Sequence, residues 1–268
     1  MKKFLIISSF TALIFVIWLF SQKPSHDRNW EIGQEKLPHI IFESDSVTIN
    51  NYRNFVWYKN GNVDKNYETQ SFKLSELESV DVIISHFDDF EGLAHIFISF
   101  GMKNGKHIIV SLETRREDDE EFSPFLGIMR QFEIIYVVGS EQDIVGLRTN
   151  NRGERVYLYP TISTPEKSQE LFIELADEIN AIYNKPKIYN TLVHNCTNEI
   201  TRRVEKISKL DFPVTWKSIF PGYFDEILYE MKIIPTDKSF SDVKKKHLID
   251  NNKVDYFNKN YSEQIRKK

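Results

Sequence analysis

At 268 residues and 31.7 kDa the chain can bury one large core, or two small ones, without disulfide or metal staples. Its net charge of -4 (35 Lys and Arg against 39 Asp and Glu) denies it the concentrated basic face of a dedicated nucleic-acid binder. One cysteine, Cys196, excludes an internal disulfide and a cysteine-rich metal site.

In chain order, Met1-Lys2-Lys3 precedes an uncharged apolar run from Phe4 to Phe20. Its length sits at the lower edge of a bilayer span, and Trp18-Leu19-Phe20 occupies the place where a small-x-small cleavage site would fall. The expectation is an uncleaved transmembrane anchor over residues 1–22, with a cleaved signal as the alternative. Lys2 and Lys3 then stay in the cytoplasm, which makes the protein a single-pass inner-membrane protein with its body in the periplasm. Residues 23–38 are polar, lack apolar periodicity and read as a tether, at most about 55 Å long when extended.

From Ile40 the pattern turns to strands. Phe55-Val56-Trp57-Tyr58 ends at the Asn60-Gly61 turn signal. The runs 94–100 and 107–113 flank a loop holding Asn104-Gly105, and 133–138, 144–149 and 154–159 are further strand candidates. Thr164-Pro165-Glu166 is a helix start, and Leu171, Phe172, Leu175, Ala176, Ile179 and Ile182 then recur at helical spacing up to Pro186. A second helix is predicted to begin at Asn195 or Thr197. The sum is an α+β body, an antiparallel sheet with packed helices, over residues 39–212. Residues 213–268 form a C-terminal extension packed on it, the last thirty, Lys- and Asn-rich, wrapping the surface.

Cys196 at a helix entrance is where free amides and the dipole lower a thiol pKa and could hold an oxyanion, with Asn195 as the cap. A buried structural thiol is the competing reading, which the polar neighbours Asn195, Thr197 and Asn198 weaken. A thiol nucleophile needs a base. Of seven histidines, His26 and His247 lie in the tether and the tail. His39, His86, His107 and His194 stay possible, and His95, within a strand, is the first choice. Setting the apolar faces of 94–100 and 107–113 on one side of a hairpin pairs Ile96 with Leu112 and Ile98 with Val110. The same register sets His95 opposite Glu113 and leaves Lys103-Asn104-Gly105 as a three-residue loop. Glu113 can then orient the imidazole, against the alternative of a salt bridge to Arg115 or Arg116. His107 is the alternate third member. Arg53 is a candidate to fix a phosphate or carboxylate, though a structural ion pair is the plainer reading. The acidic run 117–121 reads as a solvated loop. No phosphate-binding loop, dinucleotide fingerprint or HExxH occurs, so no metal and no cofactor is expected.

Several runs together resemble one family: Asn51-Tyr52-Arg53-Asn54-Phe55, Ala94-His95-Ile96-Phe97-Ile98-Ser99-Phe100, Ser111-Leu112-Glu113-Thr114-Arg115, Gly127-Ile128-Met129-Arg130-Gln131-Phe132-Glu133, Tyr189-Asn190-Thr191 with Asn195-Cys196-Thr197, and Pro221-Gly222-Tyr223. Their order and spacing are similar to the Lnb N-terminal periplasmic domain family across roughly residues 40 to 235. The resemblance implies a permuted papain-like (NlpC-like) fold in which the histidine precedes the cysteine. It implies Cys196 as nucleophile, His95 as base and Glu113 as orienting partner; Asn195, Arg53 and Tyr189 are the residues expected to support the site or bind substrate. The family includes lipoprotein N-acyltransferases, so the expected reaction takes an acyl chain from a membrane phospholipid through a thioester on Cys196 to a lipoprotein N-terminus. A cysteine peptidase or amidase acting on cell-wall or protein amides is the alternative, and a non-catalytic envelope scaffold the third.

Overall fold

A computed structural model describes residues 10, 14, 17 and 19–267. The anchor expected over residues 1–22 lies for the most part outside these. Among the described residues no helix is long and apolar enough to cross a membrane.

The body is α+β, built on a mostly antiparallel sheet. Its strands are β1 (His39–Glu43), β2 (Ser46–Arg53), β5 (Tyr67–Lys73), β6 (Leu77–His86), β7 (Ala94–Met102), β8 (His107–Arg115), β9 (Glu133–Ser140) and β10 (Arg155–Pro160). They lie in the order β1-β2-β9-β8-β7-β6-β10, with β5 added to β2 and only β2–β9 parallel. A two-stranded ribbon, β3 (Val56–Trp57) with β4 (Val63–Asp64), stands apart. Both faces of the central strands are covered, which is why β7 and β8 read as near-continuous apolar runs. Ile96, Ile98 and Phe100 face one cluster that includes Leu171, Phe172, Leu175 and Ile179 of the long helix Pro165–Asn184. Phe97 and Ile109 face the second cluster, with Ile144, Val145, Tyr256, Tyr261 and Ile265.

The helices are α1 (Pro124–Ile128), α2 (Glu141–Gly146), α3 (Pro165–Asn184), α4 (Cys196–Ile207), α5 (Trp216–Ile219), α6 (Phe224–Glu230), α7 (Phe240–His247) and α8 (Tyr261–Gln264). Thr164 caps α3 by accepting from the Lys167 amide, as its sequence signals require.

Three expectations are corrected. The run 144–149 is no strand: Ser140 caps α2 through the Asp143 amide, acids fill the first turn, and the chain continues as a π-helical segment, Leu147–Asn151. The supposed tether is docked from Ser25 onward. The Ser25 amide donates to Glu133 Oε1 (3.2 Å), Arg28 pairs with Glu133 (2.9 Å), and buried Trp30 lies under the Arg115 guanidinium, 4.0 Å from the ring centroid. The last thirty residues do more than wrap the surface, since Tyr256, Tyr261 and Ile265 enter the core. Arg266 there bonds both oxygens of buried Glu141 and reaches Asp81.

Candidate active site

The β7–β8 hairpin turns through Met102–Lys106, with the Met102 amide donating to the Lys106 carbonyl and Gly105 at φ 79°. That left-handed position suits glycine. The register is Ile98↔Val110 and Phe100↔Ile108, and extending it sets His95 opposite Glu113, as the two alternations required. Their side chains meet, His95 Nε2 lying 3.2 Å from Glu113 Oε1. The Ser111 hydroxyl bridges them, 2.7 Å from His95 Nε2 and donating to Glu113 Oε1 at 2.7 Å. Arg148 Nη2 donates to the same oxygen at 2.8 Å. Phe97 lies between the two cationic groups, stacked on His95 and under Arg148.

The paired ladder between β7 and β8 stops at Ile98↔Val110, although β7 continues to pair with β6 as far as Ala94. Even-numbered β7 amides, Met102 among them, point toward β8, so the register aims the Ile96 amide at Leu112. It bonds the Cys196 sulfur instead. The first residue of α4 thus occupies the place where the two strands cease to pair. It reaches the imidazole there, close enough for thiol and ring each to shift the other's titration. Asn195 fixes this helix start: its Oδ1 accepts from the Asn198 amide (2.8 Å) and its Nδ2 donates to the Thr191 carbonyl (2.7 Å).

The electrostatics match this geometry. Burial works against the charged form of all three groups. For His95 it is outweighed by the Glu113 carboxylate and the thiol, which raise the imidazole to about 9. For Cys196, burial pushes the thiol up, but the hydrogen bond and charge of His95, with the Ile96 amide, bring it below its ordinary value. Glu113 is likewise penalised by burial, yet held well below the usual carboxylate range by His95 and Arg148. All three shifts run toward the charged forms, the thiol down, the imidazole up and the carboxyl down.

The three groups open into a cavity of about 600 Å³. Phe87, Phe122, Ile128, Ile219 and Phe220 are apolar residues of its lining; Arg116, Arg148 and Arg152 also line it, each paired with an acid of the same lining, Glu31, Glu113 and Glu154, and Tyr189 and Asn195 lie beside the sulfur. Pro221 also lines it. The Gly222 amide donates to the Gly92 carbonyl, so the Pro221-Gly222-Tyr223 turn sits backbone to backbone on the β6–β7 connection.

Arg53 is not in this site. It is buried in a bidentate pair with Asp143 (2.8 and 3.0 Å) and also donates to the Gly33 carbonyl, so it is a structural ion pair. His107 cannot be the third member, since it lies at the far end of the hairpin with Asp81 and Glu141. The three ligand atoms of that cluster lie within 4.8 Å of one another, and Arg266 neutralises its carboxylates. His39 stacks on Tyr183, and His194 bonds Glu199 at 2.8 Å, each occupied structurally. His86 is buried and kept neutral, pushed down to about 4 by burial. The competing partners of Glu113 are engaged elsewhere, Arg115 with Trp30 and the Gln34 carbonyl, Arg116 with Glu31. Sequence reasoning missed Ser111 and Arg148. Arg148 had a usable signal, because Ser140-Glu141-Gln142-Asp143 is a cap followed by first-turn acids and marks the helix whose π-helical continuation carries it.

The sequence profile of the Lnb N-terminal periplasmic domain matches residues 64–222, a span containing His95, Glu113 and Cys196. Comparison with curated proteins and with solved structures gives no match.

Proposed function

Since the chain belongs to the Lnb N-terminal periplasmic domain family, we propose that it is a cysteine acyltransferase, anchored in the inner membrane and working at its periplasmic face. The observation that carries this reading is the polarised series Cys196, His95, Glu113 lining a cavity rich in aromatic and aliphatic side chains. A hydrocarbon chain suits the apolar part of that lining. The order of histidine before cysteine is also that of a permuted papain-like enzyme, which the family resemblance implies.

In the first half-reaction the Cys196 thiolate attacks the ester carbonyl of a phospholipid. The oxyanion meets the first-turn amides of α4 that the Asn195 cap leaves over. His95 gives its proton to the departing lysolipid alkoxide as the C–O bond breaks, leaving a thioester on Cys196. The α-amine of a lipoprotein's N-terminal residue then attacks the thioester, the neutral imidazole takes the amine proton, and the thiolate leaves. With Nε2 turned to Ser111 and Glu113, Nδ1 is the ring nitrogen left for these transfers.

Intact-mass measurement of the full chain with phospholipid vesicles tests the reading. The expected result is a mass increase of one acyl chain that hydroxylamine removes and that Cys196→Ala lacks. A chain that gains no adduct, yet cleaves amide substrates through Cys196, is a hydrolase instead.

A further inference from the structure

The link between the apolar N-terminal segment and the body is far shorter than the polar composition of residues 23–38 suggested. The Ser25 amide is already bonded to Glu133 at the start of β9, and Trp30 is clamped by Arg115 at the end of β8. Four residues, 21–24, separate Phe20 from that fixed point, a reach of about 18 Å when extended. Phe20 itself lies under the Arg130 guanidinium, 5.2 Å from the ring centroid, two residues beyond α1. The described end of the N-terminal apolar segment therefore lies beside α1.

The surface around that point is unusually apolar. Phe125 and Leu126 project from α1 at 65% and 39% exposure, and Leu192 and Val193 from the neighbouring loop at 55% and 50%. The two segments are packed together, Thr191 donating to the Pro124 carbonyl at 2.9 Å. Phe87 and Ile219, also exposed, continue the surface to the mouth of the cavity that holds Cys196. All of this lies at one end of the sheet. The other end, the 103–105 hairpin tip, is eight residues along β7 from His95, about 26 Å away.

We infer that this apolar rim is seated in the outer half of the same bilayer that holds the N-terminal segment, so that the cavity opens directly into the lipid and not into water. The inference rests on the anchored acyltransferase reading for the identity of the partner, and on the short link for its geometry. With so little slack the body cannot turn another face to the membrane. Exposed Phe and Leu side chains at an interface gain what their burial in hydrocarbon returns. An acyl chain would then enter the cavity without crossing water.

The test uses the full chain in vesicles of phosphatidylcholine and phosphatidylglycerol whose acyl chains carry a doxyl quencher. Cys196 is the sole cysteine, so a Cys196→Ser chain accepts a fluorescent label at one introduced position. Labels at Phe125→Cys and Val193→Cys should be quenched several-fold more than one at Lys103→Cys on the opposite tip. Equal quenching at the three positions overturns the inference. So does shielding of 125 and 193 only after a protein acceptor is added, which would make the rim a protein-docking face. As a second measure, Phe125→Asp combined with Val193→Asp should slow thioester formation from vesicle lipid several-fold, with alkylation of Cys196 by iodoacetamide unchanged. Quenching without any acyl adduct keeps the membrane face and removes acyl transfer, whereas an adduct without quenching does the reverse.

Discussion

One oxygen of Glu113 gathers Ser111, Arg148 and His95, and this convergence sets the charge state of a thiol two contacts away. Between the lowered thiol value and the imidazole value of about 9 the pair is thiolate and imidazolium. Glu113→Gln removes the charge that raises His95, so the imidazole falls and the thiol, losing its cationic partner, rises. The pH window of iodoacetamide reactivity should then narrow from both sides, and acyl transfer should fall about a hundredfold. A window that stays in place would dismiss Glu113 as the orienting group. Glu113 was legible because two alternating strands joined by a short Asn-Gly loop admit few registers. Ser111 was not, since a serine in a strand acquires its bridging place only once two side chains close around it.

The β7–β8 hairpin and the turn at 221–223 form two sides of the site, and the second depends on one glycine. A Cβ at Gly222 would stand 1.8 Å from the Glu91 carbonyl oxygen, backbone that cannot yield without moving Phe220 and Pro221. Gly222→Ala should cost about 2 kcal/mol, lowering Tm by roughly 5 °C. Turnover should fall with the displaced wall, while the alkylation profile of Cys196, set by β7, β8 and α4, should stay the same. Calorimetry and alkylation together check this, and an unaltered Tm would show that the turn is not so closely seated. The Pro-Gly-Tyr run stood out in the sequence, but the backbone approach that explains its glycine belongs to a partner 130 residues away. The misread run 144–149 has a related cause: apolar Ile144, Val145 and Leu147 suit a buried strand or a buried helix equally, and the Ser140 cap decides.

The polar stretch from Ser25 to β1 and the tail after α7 are both tied into the body, contrary to what their composition implied. The C-terminal thirty residues carry only a few apolar side chains, but Tyr256, Tyr261 and Ile265 enter the second cluster, and Arg266 spans Asp81 and Glu141. Averaged composition conceals anchors spaced this sparsely. Arg266→Ala would leave two buried carboxylates without their cation, a loss of about 3–5 kcal/mol by urea denaturation. Reactivity of Cys196 per folded molecule should be retained, because the cluster lies at the far end of the strands. A stability unchanged by the substitution would mean that the tail is dispensable. At the other end, Trp30 was the single aromatic residue in a polar stretch, and its partner Arg115 could not be read from spacing.

The bond from Ser25 to Glu133 has a kinetic consequence. On the acyltransferase reading proposed above, an enzyme held to the bilayer by four residues of slack samples a plane and not a volume, so the substrate density it experiences is counted per unit area. Diluting vesicles leaves that density as it was, whereas diluting the reactive lipid among inert neighbours lowers it in proportion. Turnover then follows surface mole fraction, and two proteins in separate vesicles do not share substrate.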